Sequence, residues 1–290
     1  MYSKRKLINA YRSYLELMNY DSTSLKYGPV KLAEFLEWME KDGAENIKEM
    51  TAKRVERFFE ALAKRKSKTT GQVLSQATLR NYLTVLNRFA KYLRKTEQGN
   101  LEIGVSFRGR EQKQIIILSK AETEKLYNAC DDGLLGMRDR AMLAVFYGCG
   151  IRRNEGTQLE IKDVLPDKNL LYIRKAKGGR QRYVPMIGRV KKDMLQYLKT
   201  ARPMLINSYS TDRFFISITG KPLGGQSLYE RLRRLLKRAE IKKSVGLHSL
   251  RHSIATHLLL NGMALSEIAK LLGHRSLEST QIYTHLKDEI

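Results

Sequence analysis

The sequence has little cysteine, and it has no long apolar run. Cys130 and Cys149 are the only cysteines among 290 residues, which excludes a disulfide framework or a zinc site with four cysteine ligands. We expect both to be small core residues. No apolar run reaches the roughly 18–20 residues that span a bilayer, and the N-terminus lacks the apolar segment of a signal peptide. These absences predict a reduced, soluble, cytoplasmic protein with no membrane partner.

Acidic residues are scarce relative to basic ones. The chain has 54 Lys and Arg against 30 Asp and Glu, a net charge of +24 and a pI near 10.0. Residues 1–103 contain 20 basic and 12 acidic residues, and residues 104–290 contain 34 and 18. Because the positive charge is spread over both parts, it is not one disordered tail. A polyanionic partner is the interpretation that this excess favours.

The first hundred residues have the pattern of a small four-helix unit, in which Pro29 is the only proline. Helices are predicted at 4–20, 30–42, 51–65 and 75–95. In the last one, apolar residues lie on one side: Leu79, Leu83, Leu86, Phe89 and Leu93. Four basic residues lie elsewhere on that helix: Arg80, Arg88, Lys91 and Arg94.

Helical periodicity disappears between 98 and 114, where glycines alternate with Arg108, Arg110 and Lys113. We therefore predict an N-terminal helical domain at 1–103, a linker at 104–114 and a second domain at 115–290. A basic linker between two basic domains fits a clamp around a duplex. A merely solvated linker fits the same residues.

The second domain is predicted to be mainly α-helical with one small antiparallel β-sheet. Strand-like runs at 170–174 and 181–186 flank Lys177–Arg180 and form a hairpin pattern, and a third strand is expected near 158–163. Ser119 and Glu122 form a capping-box pattern. Helices are predicted at 120–129, 137–148, 188–200, 226–239, 248–260, 264–272 and 276–285.

Two stretches of this domain contain unusual polar residues. The segment 227–238 has an apolar leucine stripe and five cations, which are Arg231, Arg233, Arg234, Lys237 and Arg238. Crowded cations repel one another unless phosphates neutralise them, although a solvated face is the plain alternative. The segment 246–285 places His248 and Arg251 on one helix face, ends a helix at Gly273, and has Tyr283 nine residues after His274.

Each of these features alone is typical of ordinary structural residues, but together they form an ordered series. Gly150-Ile-Arg152-Arg-Asn-Glu155 comes first, followed by Lys177-Gly-Gly, His248-x-x-Arg251, Leu-Gly-His274 and Tyr283. In this series the sequence resembles the tyrosine recombinase family of site-specific integrases and Xer-type recombinases. The resemblance rests on motifs in 115–290. In 1–103 it rests only on helical pattern and on position, which match the family's core-binding domain.

The resemblance implies a role for each motif residue. Arg152 and Arg251 look like the catalytic arginines, and Tyr283 looks like the nucleophile. The remaining assignments are Glu155 as the acid that supports the arginine, Lys177 as the hairpin lysine, and His248 and His274 as the two histidines. Arg153 is the alternative to Arg152, and the family spacing favours Arg152. Lys175 is the alternative to Lys177, and the turn position favours Lys177.

The chemistry of phosphodiester cleavage suits these residue types. Arginines bind phosphate oxygens in bidentate fashion and offset charge in the transition state. A tyrosine hydroxyl, with a pKa of about 10, needs a base, for which His248 is the candidate. Lys177 could protonate the leaving 5′ oxygen. The link would be a 3′-phosphotyrosine, and its formation would need no ATP, metal or other cofactor.

The family resemblance also implies the partners. Double-stranded recombination sites would be bound by Arg231, Arg234, Lys237 and Arg238, together with Arg80, Arg88, Lys91, Arg108 and Arg110. Four protomers would bring two sites together and exchange strands in pairs through a Holliday junction. The residues do not reveal the DNA sequence or the biological role.

The chain departs from the family's pattern at two places. Gly156 follows the acid where relatives often have an apolar residue, and a helical glycine costs up to about 1 kcal/mol relative to alanine. Only seven residues follow Tyr283, so a weaker or DNA-dependent tetramer is our hypothesis. His252, His257 and His285 are interpreted as packing or surface residues.

Two other functions remain compatible with these residues. A type IB topoisomerase or a telomere resolvase shares much of the motif series because it shares the chemistry. A DNA-binding protein without catalysis could use the same scaffold, although the complete set of motif residues argues against it.

Overall fold

The computed structural model describes residues 4–44, 46–67, 70–107, 115–174, 181–274 and 280. The chain forms two compact units, Met1–Glu111 and Gln112–Ile290. The division falls inside the predicted linker, 104–114. Most of the described residues are helical, and one small antiparallel sheet lies in the second unit, which confirms the predicted fold class.

The first unit has four helices around an aromatic core. They are α1 (Lys4–Leu17), α2 (Ser22–Lys41), α3 (Ala52–Lys64) and α4 (Gln76–Lys95). Side chains of Asp21, Thr51 and Ser75 cap the last three by accepting backbone N–H groups of the first turn. Buried aromatic rings meet edge to face, as at Tyr11 and Phe89, whose centroids are 5.5 Å apart.

Helix α2 begins earlier than predicted, because Asp21 starts it and Pro29 does not interrupt it. The Asp21 carboxylate accepts hydrogen bonds from the backbone N–H and the hydroxyl of Ser24. Pro29 then lies inside the helix and is buried. Next to it, a Cβ on Gly28 would be 3.3 Å from Leu15 Cδ1, so this glycine lets α1 pack closely.

Described residues of the predicted linker pack on the first unit. Leu101 is buried, and Val105 and Phe107 pack against the core of the first unit. The rings of Phe59 and Phe107 are 5.6 Å apart. Residues up to 107 therefore belong to the first unit. Arg108 and Arg110 lie outside the described residues.

The second unit contains seven described α-helices. They are α5 (Lys120–Asn128), α6 (Leu134–Leu143), α7 (Arg153–Gln158), α8 (Gly188–Gln196), α9 (Gly225–Arg238), α10 (Leu247–Leu260) and α11 (Leu265–Leu272). Short π-helical turns extend α6 and α8, at Ala144–Gly148 and Tyr197–Ala201. The capping box of Ser119 and Glu122 is present at α5, as predicted. Cys130 and Cys149 are buried, which confirms them as core residues.

The sheet has the order β1-β2-β3 and is antiparallel throughout. Its strands are β1 (Val164–Leu165), β2 (Leu170–Ile173) and β3 (Arg182–Pro185), with Leu171 opposite Val184 and Ile173 opposite Arg182. The third strand expected near 158–163 is present as β1, but it lies later, at Val164–Leu165. Glu155 accepts the backbone N–H of Arg152 and starts α7, and Asp163 caps a 3₁₀ turn at Ile161–Asp163. Residues 175–180 and the predicted helix at 276–285 lie outside the described residues, Thr280 excepted.

Candidate active site

Helix α10 places Arg251 in the interior, where its charged side chain donates hydrogen bonds to two backbone carbonyls. Arg251 is 4% exposed. Its Nη1 donates to the carbonyl of Gly150 at 2.7 Å, and its Nη2 donates to the carbonyl of Leu272 at 2.7 Å. A buried guanidinium must be hydrogen-bonded to be tolerated. Arg251 therefore ties α10 to the turn before α7 and to the end of α11.

A glycine turn makes the first of these contacts possible. Gly150 has a φ of +59°, in the left-handed region that favours glycine. A Cβ there would be 2.7 Å from Leu272 Cδ2. The close approach of this turn to α11 therefore requires glycine, and it delivers Arg152 to the N-terminus of α7.

Arg152 is fixed on two sides. Its Nη1 donates to Glu155 Oε1 at 2.9 Å, and its Nη2 donates to the carbonyl of Gly273 at 2.8 Å. Its backbone N–H donates to Glu155 Oε2 at 3.1 Å. The side chain of Arg152 is 23% exposed, so it reaches the surface. The rival Arg153 is exposed, and its side chain lies against Gly225 at the start of α9.

Arg182 is a member of this cluster that the sequence motifs did not reveal. Its Nη1 and Nη2 donate to the two oxygens of Glu155 at 3.1 and 2.8 Å. Its Nε donates to the carbonyl of Leu271 at 3.2 Å. The signal that could have found it is strand alternation, because Val184 and Met186 share its face and both are buried.

The C-terminus of α11 is where the three arginines meet. Three successive carbonyls accept hydrogen bonds, Leu271 from Arg182, Leu272 from Arg251 and Gly273 from Arg152. The last carbonyls of a helix lack intrahelical donors, and this end of the helix dipole is negative. Gly273 ends the helix with a φ of +65°, as the sequence predicted.

His274 follows this helix end directly. Its backbone N–H donates to Ala269, and its Nδ1 lies 2.8 Å from Thr280 Oγ1. Desolvation lowers the pKa of His274 to about 4, and the positive charges of Arg251 and Arg152 add to this effect. The imidazole is therefore neutral near pH 7.

His248 lies in the first turn of α10 and is exposed. Desolvation by its surroundings lowers its pKa, and so do the charges of Arg153, Arg251 and Arg152. Its neutral form, which accepts a proton, is thereby favoured. Arg251 follows it one helical turn later, so α10 carries both residues into the same region.

Glu155 is buried yet charged. Burial by itself would raise its pKa, but hydrogen bonds and charge from Arg182, and then from Arg152, lower the pKa below its usual range. Its side chain is 3% exposed. One carboxylate, three guanidinium groups and two neutral imidazoles make this cluster cationic.

Several predicted site residues cannot be placed. Lys177 and Tyr283 lie outside the described residues, as do Lys175 and His285. Within the described part of the chain, no group of three or more His, Cys, Asp or Glu residues is arranged to hold a metal ion. No helix among those residues is long and apolar enough to cross a membrane.

The two other histidines of α10 pack inside the unit. His257 is buried, with Nδ1 2.8 Å from the hydroxyl of Tyr147. His252 is partly buried, and desolvation, together with His248 and Arg251, lowers its pKa to about 4. These observations agree with their interpretation as packing residues.

The predicted phosphate-binding cations differ in their surroundings. Arg231 makes a two-point ion pair with the buried Asp139, with Nε 3.1 Å from Oδ1, so its guanidinium already has a protein partner. Arg238 pairs with Asp131 at 2.8 Å but stays half exposed. Arg88 donates to Ser24 at 2.7 Å. Arg234, Lys237 and Lys91 are exposed, and Arg80 is half-buried.

Comparison with known proteins gives consistent matches. The profile described as the Phage integrase family matches residues 117–289. The tyrosine recombinase XerC of Oceanobacillus iheyensis is 30% identical over an alignment of length 290, which covers 98% of this chain and 92% of that protein. The tyrosine recombinase XerD of Staphylococcus saprophyticus is 38% identical over 151 residues, which are 52% of this chain and 51% of that protein.

Two solved structures share the fold. One is the XerH site-specific recombinase bound to a palindromic difH substrate in a post-cleavage complex, with 24% identity, a TM-score of 0.72, and coverage of 99% of this chain and 82% of that one. The other is a lambda integrase (75–356) dimer bound to a COC′ core site, with 15% identity, a TM-score of 0.68, and coverage of 96% and 94%.

Proposed function

Because this chain belongs to the phage integrase family and is a tyrosine-type site-specific recombinase, we propose that Tyr283 attacks a DNA phosphate held by Arg152 and Arg251. The tyrosine oxygen forms a bond to phosphorus, and the bond from phosphorus to the 5′ oxygen breaks. The products are a 3′-phosphotyrosyl link and a free 5′ hydroxyl. The link keeps the energy of the broken bond, so attack by a 5′ hydroxyl rejoins DNA without ATP.

The anchoring of the two arginines on adjacent backbone carbonyls is the observation that carries this proposal. Arg152 donates to Gly273, and Arg251 donates to Leu272. Donors held in place before the substrate arrives do not have to reorganise during the reaction, which makes them effective at stabilising developing charge. A phosphate between these guanidinium groups would meet a preformed cationic site.

The histidines and the hairpin lysine supply proton transfer in this scheme. The lowered pKa of His248 keeps its ring able to accept the proton of Tyr283. His274, neutral for the same reason, hydrogen-bonds the phosphate region. Lys177 delivers a proton to the leaving 5′ oxygen. Glu155 contacts no DNA and instead holds Arg152.

DNA binding and assembly complete the proposal. The basic charge of both units suits a duplex, and residues 1–103 act as the DNA-contacting core-binding domain. The XerH and lambda integrase structures contain DNA sites, which supports this assignment. Four protomers bring two sites together and exchange strands in pairs through a Holliday junction.

Trapping the covalent intermediate tests the proposed function. The probe is a pool of end-labelled duplexes of randomised sequence, each with a nick in one strand. Cleavage near the nick releases a short fragment, so rejoining fails and the protein–DNA link accumulates. Wild-type protein should give labelled adducts that survive denaturation, and sequencing these adducts would identify preferred sites.

The matched control is Tyr283→Phe, which lacks only the attacking oxygen. It should retain the same bound duplexes in a filter-binding assay and give no adduct. Wild-type protein that enriches specific duplexes by binding but never becomes linked to them would contradict the proposal. It would favour a DNA-binding role without catalysis.

A further inference from the structure

Arg182 lies on β3, and each of its guanidinium nitrogens donates inside the cluster. Two of them bind the two oxygens of Glu155, and the third binds the carbonyl of Leu271. The side chain of Arg182 is 10% exposed, less than half the exposure of Arg152. A side chain so enclosed is placed to act on other protein groups.

The charges around Glu155 show what Arg182 contributes. Arg152 donates a single side-chain hydrogen bond to this carboxylate, whereas Arg182 donates two. Without Arg182, the buried carboxylate would be paired with Arg152 alone. Interactions between charges are strong in a poorly solvated interior, so the carboxylate would then cancel most of the positive charge of Arg152.

We propose that Arg182 is a positioning residue that neutralises Glu155, so that Arg152 keeps its positive charge for the DNA phosphate. This inference rests on the proposed function. Glu155 then orients Arg152 without cancelling its positive charge, because Arg182 supplies the cation that balances the carboxylate. Three arginines and one carboxylate leave the equivalent of two positive charges, and loss of Arg182 leaves one.

Arg182 also connects three parts of the site. It is the first residue of β3, Arg182–Pro185. It reaches Glu155 in α7 and the final turn of α11, whose next residues are Gly273 and His274. A Cβ on Gly273 would be 3.0 Å from Arg182 Cδ, which shows how closely the side chain lies along this helix end.

A double-mutant cycle that removes the two charges separately and together separates charge balance from simple packing. The variants are Arg182→Met, Glu155→Gln and the combination of both, assayed for adduct formation on a nicked duplex recovered from the randomised pool. Arg182→Met should slow adduct formation by about 100-fold, the size of effect that follows when preorganised electrostatic stabilisation is weakened. Its DNA affinity should change much less.

The double variant is the decisive member of the cycle. Removing the carboxylate together with Arg182 restores the two positive charges, so it should form adducts about ten times faster than Arg182→Met, on the order of the 1.36 kcal/mol that a tenfold rate represents. Packing alone predicts the opposite order, because a second buried polar group has been changed. A double variant no faster than Arg182→Met would overturn the proposal.

Two further variants keep the test interpretable if Arg182→Met folds poorly. Arg182→Lys keeps the charge with fewer donors and should fall between wild type and Arg182→Met. Equal rates for the Lys and Met variants would contradict charge balance. Arg202→Met is the matched control, because Arg202 is buried and donates to the carbonyls of Thr211, Arg213 and Phe214. It should lower thermal stability but keep the adduct rate.

The result for wild-type protein distinguishes failure of the proposed function from failure of the proposed role of Arg182. If wild-type protein forms adducts and Arg182→Met forms them equally fast, only the role of Arg182 is wrong. If wild-type protein binds the duplex and forms no adduct, the proposed function fails and the role of Arg182 fails with it.

Discussion

Gly273 ends α11 with its backbone pressed against the side chain of Arg182. The φ of Gly273 is +65°, and the position of a Cβ would be 3.0 Å from Arg182 Cδ and 3.1 Å from its Nε. The same glycine offers its carbonyl to Arg152. One residue without a side chain thus lets two arginines approach the same helix end.

We predict that Gly273→Ala impairs both stability and cleavage. A left-handed alanine costs roughly 1–2 kcal/mol, and the new methyl group displaces Arg182 from its partners. Gly262→Ala is the control, because its φ is +88° and no atom lies within 4 Å of a Cβ there. Urea unfolding measures the loss of stability, and the rate of adduct formation measures the loss of cleavage. Only Gly273→Ala should slow adduct formation, and equal adduct rates for the two variants would contradict the account.

Gly156→Ala is predicted to destabilise the second unit. From helix propensity alone, alanine would stabilise α7 by up to about 1 kcal/mol. A Cβ at this position would be 2.4 Å from Phe146 Cζ, and Phe146 is fully buried. Overpacking of this kind costs roughly 1–3 kcal/mol, so the sign reverses. Thermal unfolding measures the change.

A second substitution tests the cause of that loss. Adding Phe146→Leu makes room for the methyl group, so the double variant should lose less stability than the two single losses predict together. Additive losses would show that the clash with Phe146 is not the reason.

Two arginines of α9 should differ in their effect on DNA binding. Arg234 is exposed, whereas Arg231 is paired with Asp139. Arg234→Ala should reduce the slope of log affinity against log salt concentration by about 1, as expected when one phosphate contact is lost. The charge-neutral double variant Arg231→Met/Asp139→Asn should leave the slope unchanged. Equal reductions would show that Arg231 also binds phosphate.

Lowering the pH should destabilise the second unit, and the loss should begin at pH values higher than those at which its carboxylates titrate. Desolvation lowers the pKa of His252 and His274 to about 4, against about 6.5 in an unfolded chain. Between these values the unfolded state binds more protons, so the free energy of unfolding falls as pH falls, by on the order of 1 kcal/mol per histidine.

His252→Gln should flatten this pH dependence, which circular dichroism at increasing urea concentrations would measure at pH 7 and 5. Trp38, the only tryptophan of the chain, lies in the first unit. Its fluorescence provides an internal control for the first unit. A variant with the same pH dependence as wild type would contradict the assignment of this proton to His252.

Amphipathic helices were the part of the fold that could be predicted from sequence. Helix α4 begins and ends within one residue of the predicted bounds, because its apolar stripe and its Ser75 cap are both local signals. The third strand begins later than the expected 158–163, since capping by Glu155 and Asp163 outweighs the strand-like pattern there. The predicted start of α2 after Pro29 was wrong for a related reason, because the Asp21 cap starts the helix ahead of the proline.

The site could be predicted only as far as its motifs extend. The structure brings Arg152, Glu155, Arg251 and His274 together, as the family resemblance implied. Arg182 was missed because its partners are distant in sequence and a charged residue on a short strand is usually solvent-facing. The engagement of Arg231 by Asp139 depends on contact between α9 and α6, which no local pattern reveals.

Identification of the residue that carries the DNA tests the central claim most directly. Adducts trapped on the nicked duplex would be digested with nuclease and protease, and the peptide that retains a nucleotide would be sequenced by mass spectrometry. The account predicts a phosphodiester on Tyr283 joined to the 3′ side of the cleaved strand. A nucleotide on any other residue, or a link to the 5′ side, would contradict it.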